Sequence, residues 1–190
     1  GGMSEDFTDL TDSIWEEGVQ HIVLLGMGGS SLAPEVFEEV FGKQKGLPEL
    51  LVLDSTHPVE VQWVRDTIDL SRTVFIVSSK SGTTLETLSL FRYFFEEVGQ
   101  CRKDPGHQFL AITDQDSPLE VLAQERGFRR TFLSPQDVGG RFSALSDFGL
   151  VPAALIGIDI NKILNRAVTA ARDNREDLPI EEAQGLLLGA

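Results

Sequence analysis

Apolar residues occur along this chain in two patterns, short continuous runs and longer stretches in which they recur every three or four positions. Continuous runs are typical of strands buried on both faces of a sheet, and the wider spacing is typical of amphipathic helices. The runs predict five strands, at 21–25, 49–54, 73–77, 108–113 and 128–133. The spaced stretches predict helices at 4–18, 32–41, 59–68, 85–98 and 118–126.

Strand and helix therefore alternate about five times before the chain continues as helix from residue 144. Such alternation predicts βαβ units with right-handed crossovers, and hence an α/β fold with helices on both faces of a parallel sheet. Helix breaks are expected near 157–159 and 174–179. One broad face of the helix 85–98 is predicted to point into the core. Its residues are Leu85, Leu88, Phe91, Phe94, Phe95 and Val98.

Composition and charge limit the classes of partner. Hydrophobic residues make up 41% of the chain and charged residues 24%, as in ordinary globular proteins, and no apolar run is long enough to span a membrane. The net charge of −14 argues against nucleic acid and anionic membranes as partners. Cys101 is the single cysteine, which excludes an internal disulfide and fits the reducing cytoplasm.

The segment between the third strand and the next helix is rich in hydroxyl groups, with five serines and threonines at 78–84. The first amides of a helix have no partner within it, and the helix dipole favours an anion there. Ser79, Ser81 and Thr84 could add side-chain donors. Gly82 would let the backbone turn tightly or approach a ligand closely. The segment therefore predicts a phosphate site.

A simpler role for the same segment is helix capping. Thr83 would be the N-cap residue, and Glu86, three positions later, would close a capping box. Capping needs one hydroxyl, whereas the segment offers five. We therefore expect a capping box and an anion site together.

A glycine-rich segment, 26–31, follows the first predicted strand, where a dinucleotide-binding loop would lie. Ser31 stands where the third glycine of that motif belongs, so the motif is incomplete. Asp54 ends the second strand, close to the position of a ribose-binding acid. A nicotinamide or flavin dehydrogenase is therefore one alternative function.

The loop after the fifth strand contains Gly139, Gly140 and Arg141. A guanidinium at this edge of the sheet could bind phosphate or stabilise an oxyanion, and the alternative is a surface arginine paired with one of the many acids. His57 follows the second strand, but Ser-Thr-His-Pro is ordinary turn chemistry. No spacing of histidine with acidic residues predicts a metal centre.

Taken together, the three loops resemble the motifs of the phosphoglucose isomerase family. The matching segments are 26–34, 79–87 and 139–143, and the run 143–159 is similar to the isomerase part of bifunctional transaldolase/phosphoglucose isomerases. The resemblance implies a SIS (sugar isomerase) domain, a three-layer αβα sandwich around a five-stranded parallel sheet of the doubly wound, flavodoxin-like type. Its expected extent is 4–158, followed by a helical connector at 159–190.

The resemblance also implies roles for individual residues. Arg141 matches the arginine near the enediolate intermediate and is the expected catalytic residue, and Lys80 would contribute through its backbone. At 81–82 this chain has Ser-Gly where other members carry threonine and a bulky residue, so a hydroxyl is kept. The implied substrate-binding residues are Gly29, Ser30, Ser79, Lys80, Ser81 and Thr84.

Members of this family interconvert glucose 6-phosphate and fructose 6-phosphate with no metal and no organic cofactor. They have two SIS domains, and the second carries the catalytic glutamate and the histidine and lysine associated with ring opening. We expect this chain to bind a sugar phosphate, to be inactive alone and to pair with a second SIS domain of the same polypeptide. The resemblance is compatible with a homodimer and with a transaldolase domain that precedes this region. A stand-alone regulatory SIS module that binds sugar phosphates is a further alternative.

Overall fold

The computed structural model describes residues 3–175 and Gly185, with side chains from Phe7 onwards. The strands are β1 (His21–Gly26), β2 (Glu49–Leu53), β3 (Thr73–Ser78), β4 (Phe109–Asp114) and β5 (Arg130–Ser134). The α-helices are α1 (Met3–Glu16), α2 (Leu32–Phe41), α3 (Pro58–Thr67), α4 (Leu85–Cys101), α5 (Pro118–Glu125), α6 (Asp147–Leu155) and α7 (Ile160–Arg172). Short 3-10 helices lie at Gly28–Ser30, Leu70–Arg72, Pro105–Gln108 and Gly140–Leu145.

The five strands form one parallel sheet with the order β2-β1-β3-β4-β5. This is the flavodoxin-like order, which confirms the predicted α/β fold. The chain reverses its direction of travel across the sheet between β1 and β3, and ligands of such sheets bind beside that point, at the carboxyl ends of the strands. The loops after β1, β3 and β5 all leave the sheet at this edge.

Phenylalanine rings fill the space between the sheet and α4. Phe75 and Phe109, on adjacent strands, stack with their ring centroids 5.0 Å apart, and Phe94 of α4 lies 5.0 Å from Phe75. All three side chains are fully buried. The apolar runs of β1, β3 and β4 are buried on both faces of the sheet, as the sequence pattern predicts.

The predicted core face of α4 is wrong at its first turn. Leu85 is 69% exposed, while Thr87 and Leu90, which were not predicted, are buried with Phe91 and Phe94. The helix begins at the sheet's carboxyl edge, so its first turn lies beside the loops and only its later turns pack on the strands. The apolar stripe therefore starts one turn later than periodicity suggests.

The chain divides into two compact units, Gly1–Ile158 and Asp159–Ala190. In the second, α7 begins after Asp159, whose carboxylate accepts a hydrogen bond from the Lys162 amide at 3.0 Å. The predicted connector at 159–190 stays a prediction, and the expected helix break at 174–179 lies mostly outside the described residues. Among the helices that the structure describes, none has the length and apolar character needed to cross a membrane.

Candidate functional site

The loop between β3 and α4, residues 79–84 and called the hydroxyl loop below, brings two of its predicted phosphate ligands together. The Ser79 side chain is 1% exposed, and its Oγ lies 3.0 Å from Oγ1 of Thr84. The Ser79 amide donates to the carbonyl of Ile112 at 3.0 Å, which fixes the loop to the end of β4. A fixed pair of neighbouring hydroxyls can donate to two oxygens of one anion.

The first turn of α4 adds backbone donors to this pair. Helix hydrogen bonding starts with the Leu88 amide, which donates to the Thr84 carbonyl at 3.0 Å. The amides of the preceding turn therefore have no acceptor within the helix, and the helix dipole adds partial positive charge. The buried hydroxyl of Thr87 is also without a hydrogen-bond partner among the described residues. This end of α4 has spare donors for an anion.

The predicted capping box is wrong. The N-cap residue is Thr84, one position after the predicted Thr83, so Glu86 is the second helical residue and cannot close the box. The Thr84 hydroxyl makes no capping bond, because it is paired with Ser79. The hydroxyl that capping would have used is thus part of the anion-binding pair.

Ser81 lies on the exposed side of the hydroxyl loop. Its Oγ is 2.9 Å from Oγ1 of Thr83 and accepts a hydrogen bond from the Thr83 amide at 3.3 Å. Gly82 has a φ of +67°, and a Cβ there would lie 2.7 Å from the amide nitrogen of Leu119 in α5. Glycine is therefore needed for the turn and for its packing on α5, and the structure gives Gly82 this role instead of close approach to a ligand.

The side chain of Lys80 forms an ion pair with the last residue of β4. Its Nζ donates to both carboxylate oxygens of Asp114, at 2.8 and 2.9 Å. Asp114 was not among the predicted site residues. The feature that could have identified Asp114 is the register of β3 and β4. Ser78 of β3 pairs with Ile112 of β4, and Lys80 and Asp114 each lie two residues further along.

The loop after β1 contacts the loop after β5 through two glycines. A Cβ on Gly29 would lie 2.7 Å from the carbonyl oxygen of Gly140 and 3.3 Å from the Arg141 amide nitrogen. Ser143 Oγ donates to the Gly140 carbonyl at 2.6 Å. The carbonyl of Ser30 accepts a hydrogen bond from Ser78 Oγ at 3.1 Å, which joins this loop to the end of β3. Gly29 and Ser30 therefore lie in the same cluster of loops as Arg141.

Replacing Gly29 with alanine is expected to lower the free energy of unfolding by about 1–3 kcal/mol, because the new methyl group would meet backbone atoms that cannot move aside easily. Urea unfolding followed by circular dichroism measures the change. Gly99→Ala is the comparison variant, since a Cβ at that helical position meets nothing within 4 Å and should raise stability by up to about 1 kcal/mol through helix propensity. A Gly29→Ala variant as stable as the parent chain would contradict the observed contact between the loops.

Arg141 lies exposed at this edge and lines a groove of about 330 Å³ together with Gly29, Val36 and Ser143. Within residues 7–175 its guanidinium has no carboxylate or other hydrogen-bond partner. The alternative of a surface arginine paired with an acid is therefore not what is observed. The side chain is available to an anionic ligand.

Asp147, at the start of α6, is a half-buried acid behind the loop after β5. Burial raises the pKa of its carboxyl, and the hydrogen bond from Ser134 Oγ at 3.2 Å lowers that pKa only in part. A raised pKa in the folded state means that this carboxylate destabilises the fold once it is charged. The free energy of unfolding is therefore not reduced by Asp147 at low pH, where its carboxyl is neutral. It falls as the pH rises through the folded-state pKa and the carboxyl becomes charged.

Asp147→Asn is accordingly expected to be more stable than the parent chain at pH 7. The Ser134 hydroxyl can still donate to the amide oxygen, so this hydrogen bond is kept while the buried charge is removed. The advantage should shrink as the pH is lowered towards 3, where Asp147 is protonated in both states. Urea unfolding of both proteins at several pH values measures it, and a difference that does not change with pH would contradict a buried charge as the cause.

The two features that suggested a dinucleotide have other surroundings in the structure. Gly29 packs one side against the Gly140 backbone of the loop after β5, and Asp54 is exposed at the end of β2. His57 is the N-cap residue of α3, where its Nδ1 accepts a hydrogen bond from the Val59 amide at 3.4 Å. This is the turn role that the sequence favoured.

Comparison with known proteins agrees with the sequence motifs. The phosphoglucose isomerase family model matches residues 11–189. The glucose-6-phosphate isomerases of Campylobacter jejuni and Thermus thermophilus are each 34% identical to this chain, over 83% and 87% of its length. A solved glucose-6-phosphate isomerase from Chlamydia trachomatis has the same fold, with a TM-score of 0.85 and 24% identity over 96% of this chain and 35% of that one.

The matches cover only part of each relative. The aligned region is 39% of the Campylobacter jejuni protein and 40% of the Thermus thermophilus protein. The chain thus spans about two fifths of the length of the curated relatives it matches.

Proposed function

The chain belongs to the phosphoglucose isomerase family, and from this premise we propose that it is the sugar-phosphate-binding SIS domain of a glucose-6-phosphate isomerase. The reaction proposed for the complete enzyme is the interconversion of glucose 6-phosphate and fructose 6-phosphate, in keeping with the name of its relatives. The observation that carries the proposal is the hydroxyl loop, where two paired hydroxyls stand before the free first turn of a helix.

The phosphate of the sugar is proposed to bind at the hydroxyl loop. Ser79 and Thr84 would turn their hydroxyl hydrogens from each other to two phosphate oxygens, and Ser81 would donate from the exposed side. The amides of the first α4 turn would bind the remaining oxygen, with support from the helix dipole. These are neutral donors at short range, so they can hold a dianion on a chain whose net charge is −14.

The sugar is proposed to lie across the loops after β1 and β5. Gly29 and Ser30 would contact it, and Arg141 would face the carbons where the proton is transferred. Moving a proton between C1 and C2 places negative charge on the attached oxygens in the enediolate. A guanidinium without another partner can stabilise that charge.

The roles proposed above do not include the base that transfers the proton. Two carboxylates near the described loops are already bonded, Asp114 to Lys80 and Asp147 to Ser134. The family resemblance assigns the base to a second SIS domain of the same polypeptide. We therefore propose that the chain alone binds the sugar phosphate without isomerising it.

Replacing Arg141 with methionine in the full polypeptide that carries this chain tests the catalytic role. The turnover number kcat for fructose 6-phosphate is expected to fall about a hundredfold, with a much smaller change in KM, because the lost interaction acts on charge that develops during the reaction. Arg92→Met, an exposed arginine on α4, is the matched control. A raised KM with unchanged kcat would instead assign Arg141 to ground-state binding.

The same assay separates the enzyme from the regulatory alternative. An isomerase requires turnover by the full polypeptide, whereas a regulatory SIS module would bind the sugar phosphate without converting it. Absence of turnover together with tight binding would therefore favour the regulatory module and refute the proposed reaction.

A further inference from the structure

We propose that Lys80 and Asp114 form a positioning ion pair that holds the hydroxyl loop in its anion-binding shape, and that the Lys80 ammonium does not itself bind the phosphate. The inference rests on the proposed function in so far as the hydroxyl loop binds a phosphate group. It adds two residues with a defined role, one of them, Asp114, outside the predicted site.

Lys80 contacts four oxygen atoms within the protein. Its Nζ lies 2.8 and 2.9 Å from the two carboxylate oxygens of Asp114. The carbonyl oxygens of Pro135 and Gln136 each lie 3.4 Å from Nζ. The three N–H donors of the ammonium group are therefore directed to Asp114 and to the loop after β5.

These contacts join the loop after β3, the end of β4 and the loop after β5. Lys80 belongs to the first of these loops, Asp114 is the last residue of β4, and Pro135 and Gln136 belong to the loop after β5. The ion pair is partly shielded from water, with side-chain exposures of 26% for Lys80 and 21% for Asp114. Screening by salt is weaker at such a position than at the surface, so the pair can act as a persistent link.

The backbone continues the link on either side of the ion pair. The Asp114 amide donates to the Lys80 carbonyl at 3.1 Å, and the Ser79 amide donates to Ile112. Thr113 Oγ1 approaches the same Lys80 carbonyl at 3.4 Å and lies 2.7 Å from Ser117 Oγ. Lys80 is thus held by both its backbone and its side chain, and its chain neighbours are Ser79 and Ser81. Fixing Lys80 fixes the backbone that carries two of the proposed phosphate ligands.

For Asp114→Asn, the proposal predicts the opposite change in phosphate affinity from the one that electrostatics alone would give. Asp114→Asn removes a negative charge near an anion site and frees a positive lysine, so charge alone would make phosphate bind more tightly. A positioning role predicts weaker binding, by about tenfold, because the hydroxyl loop loses its tether. Lys80→Met should weaken binding by a similar factor, and the double variant should be no weaker than either single one, since both remove the same link.

Calorimetric titration of the chain with fructose 6-phosphate, and separately with inorganic phosphate, measures these affinities. Lys80→Arg is the conservative variant and should restore binding relative to Lys80→Met, because a guanidinium can also join a carboxylate to nearby carbonyls. Arg65→Met is the matched control. Its ion pair with Glu97 has similar exposure, 32% and 23%, and joins α3 to α4 away from the loops. The control should leave both affinities unchanged.

Amide hydrogen exchange of the ligand-free chain tests the tether without any binding. In Asp114→Asn, the Gly82 amide, bonded to Ser79, and the Val138 amide, bonded to Pro135, should both exchange faster, while Arg65→Met should change neither. Tighter phosphate binding by Asp114→Asn, or unchanged exchange at Gly82 and Val138, would overturn the proposal. If the parent chain binds no phosphate, the proposed function fails, and the exchange result still decides whether the ion pair holds the loops.

Discussion

Replacing Ser79 and Thr84 together with alanine is expected to weaken the binding of fructose 6-phosphate by at least about a hundredfold. Each hydroxyl would donate one hydrogen bond to a charged phosphate oxygen, and the loss of such a bond costs about 1.5–3 kcal/mol. The two oxygens are 3.0 Å apart and Ser79 is almost fully buried, so water cannot easily replace the Ser79 donor. Calorimetric titration of parent and variant chains measures the change.

The matched control for this double variant is a serine in α4, the helix that follows the hydroxyl loop. Ser89→Ala removes an exposed hydroxyl from the second turn of α4 that donates to the Leu85 carbonyl at 2.8 Å and is not one of the proposed phosphate ligands. Its affinity for fructose 6-phosphate should equal that of the parent chain. Thermal unfolding of the double variant should remain cooperative, which separates lost ligands from a lost fold. An unchanged affinity in a folded Ser79→Ala, Thr84→Ala variant would remove the hydroxyl pair from the proposed phosphate site.

The second large effect is expected on stability, from Phe109→Ala. The Phe109 ring is fully buried and contacts four others, Phe75, Phe91, Phe95 and Phe128, at centroid distances of 5.0 to 5.5 Å. Truncation removes apolar contact with all four and leaves a cavity between the sheet and α4. The free energy of unfolding is expected to fall by about 3–5 kcal/mol, measured by urea denaturation.

Phe142→Ala is the control for this prediction. Its ring is 77% exposed in the loop after β5, and its removal should change the free energy of unfolding by less than about 0.5 kcal/mol. Phe109 lies at the start of β4, which ends at Asp114, so the variant should also loosen the tether to Lys80. A loss of less than about 1 kcal/mol in Phe109→Ala would mean that the aromatic cluster is not the main support of this strand.

The parallel sheet could be predicted because strands buried on both faces consist of continuous apolar runs. The runs at 21–25 and 73–77 are apolar at every position but one each, and both lie in strands buried on two faces. β5 was predicted at 128–133 but begins at Arg130. Phe128 belongs to the turn after α5, where its amide bonds to Ala123 while its ring packs on the core. An apolar run does not distinguish a strand residue from a turn residue that is buried.

Candidate site residues could be predicted where they lie in one continuous segment. Contacts between residues from distant segments could not be predicted in the same way. The hydroxyl loop is a continuous segment, so its donors could be identified before the structure. Lys80 and Asp114 are 34 positions apart, and only the register of β3 and β4 brings them together. The segment that contains Gly139, Gly140 and Arg141 is predicted as a loop, yet a 3-10 helix begins at Gly140. Such helices are too short to produce a periodic pattern of apolar residues in the sequence.

The most direct test of the central claim is a calorimetric titration of this chain with fructose 6-phosphate, then with fructose and with NAD, at low ionic strength. The hydroxyl loop predicts that the phosphorylated sugar binds, that fructose binds far more weakly, and that NAD does not bind. Binding of NAD without binding of the sugar phosphate would contradict the account and would make the loop after β1 a dinucleotide site instead.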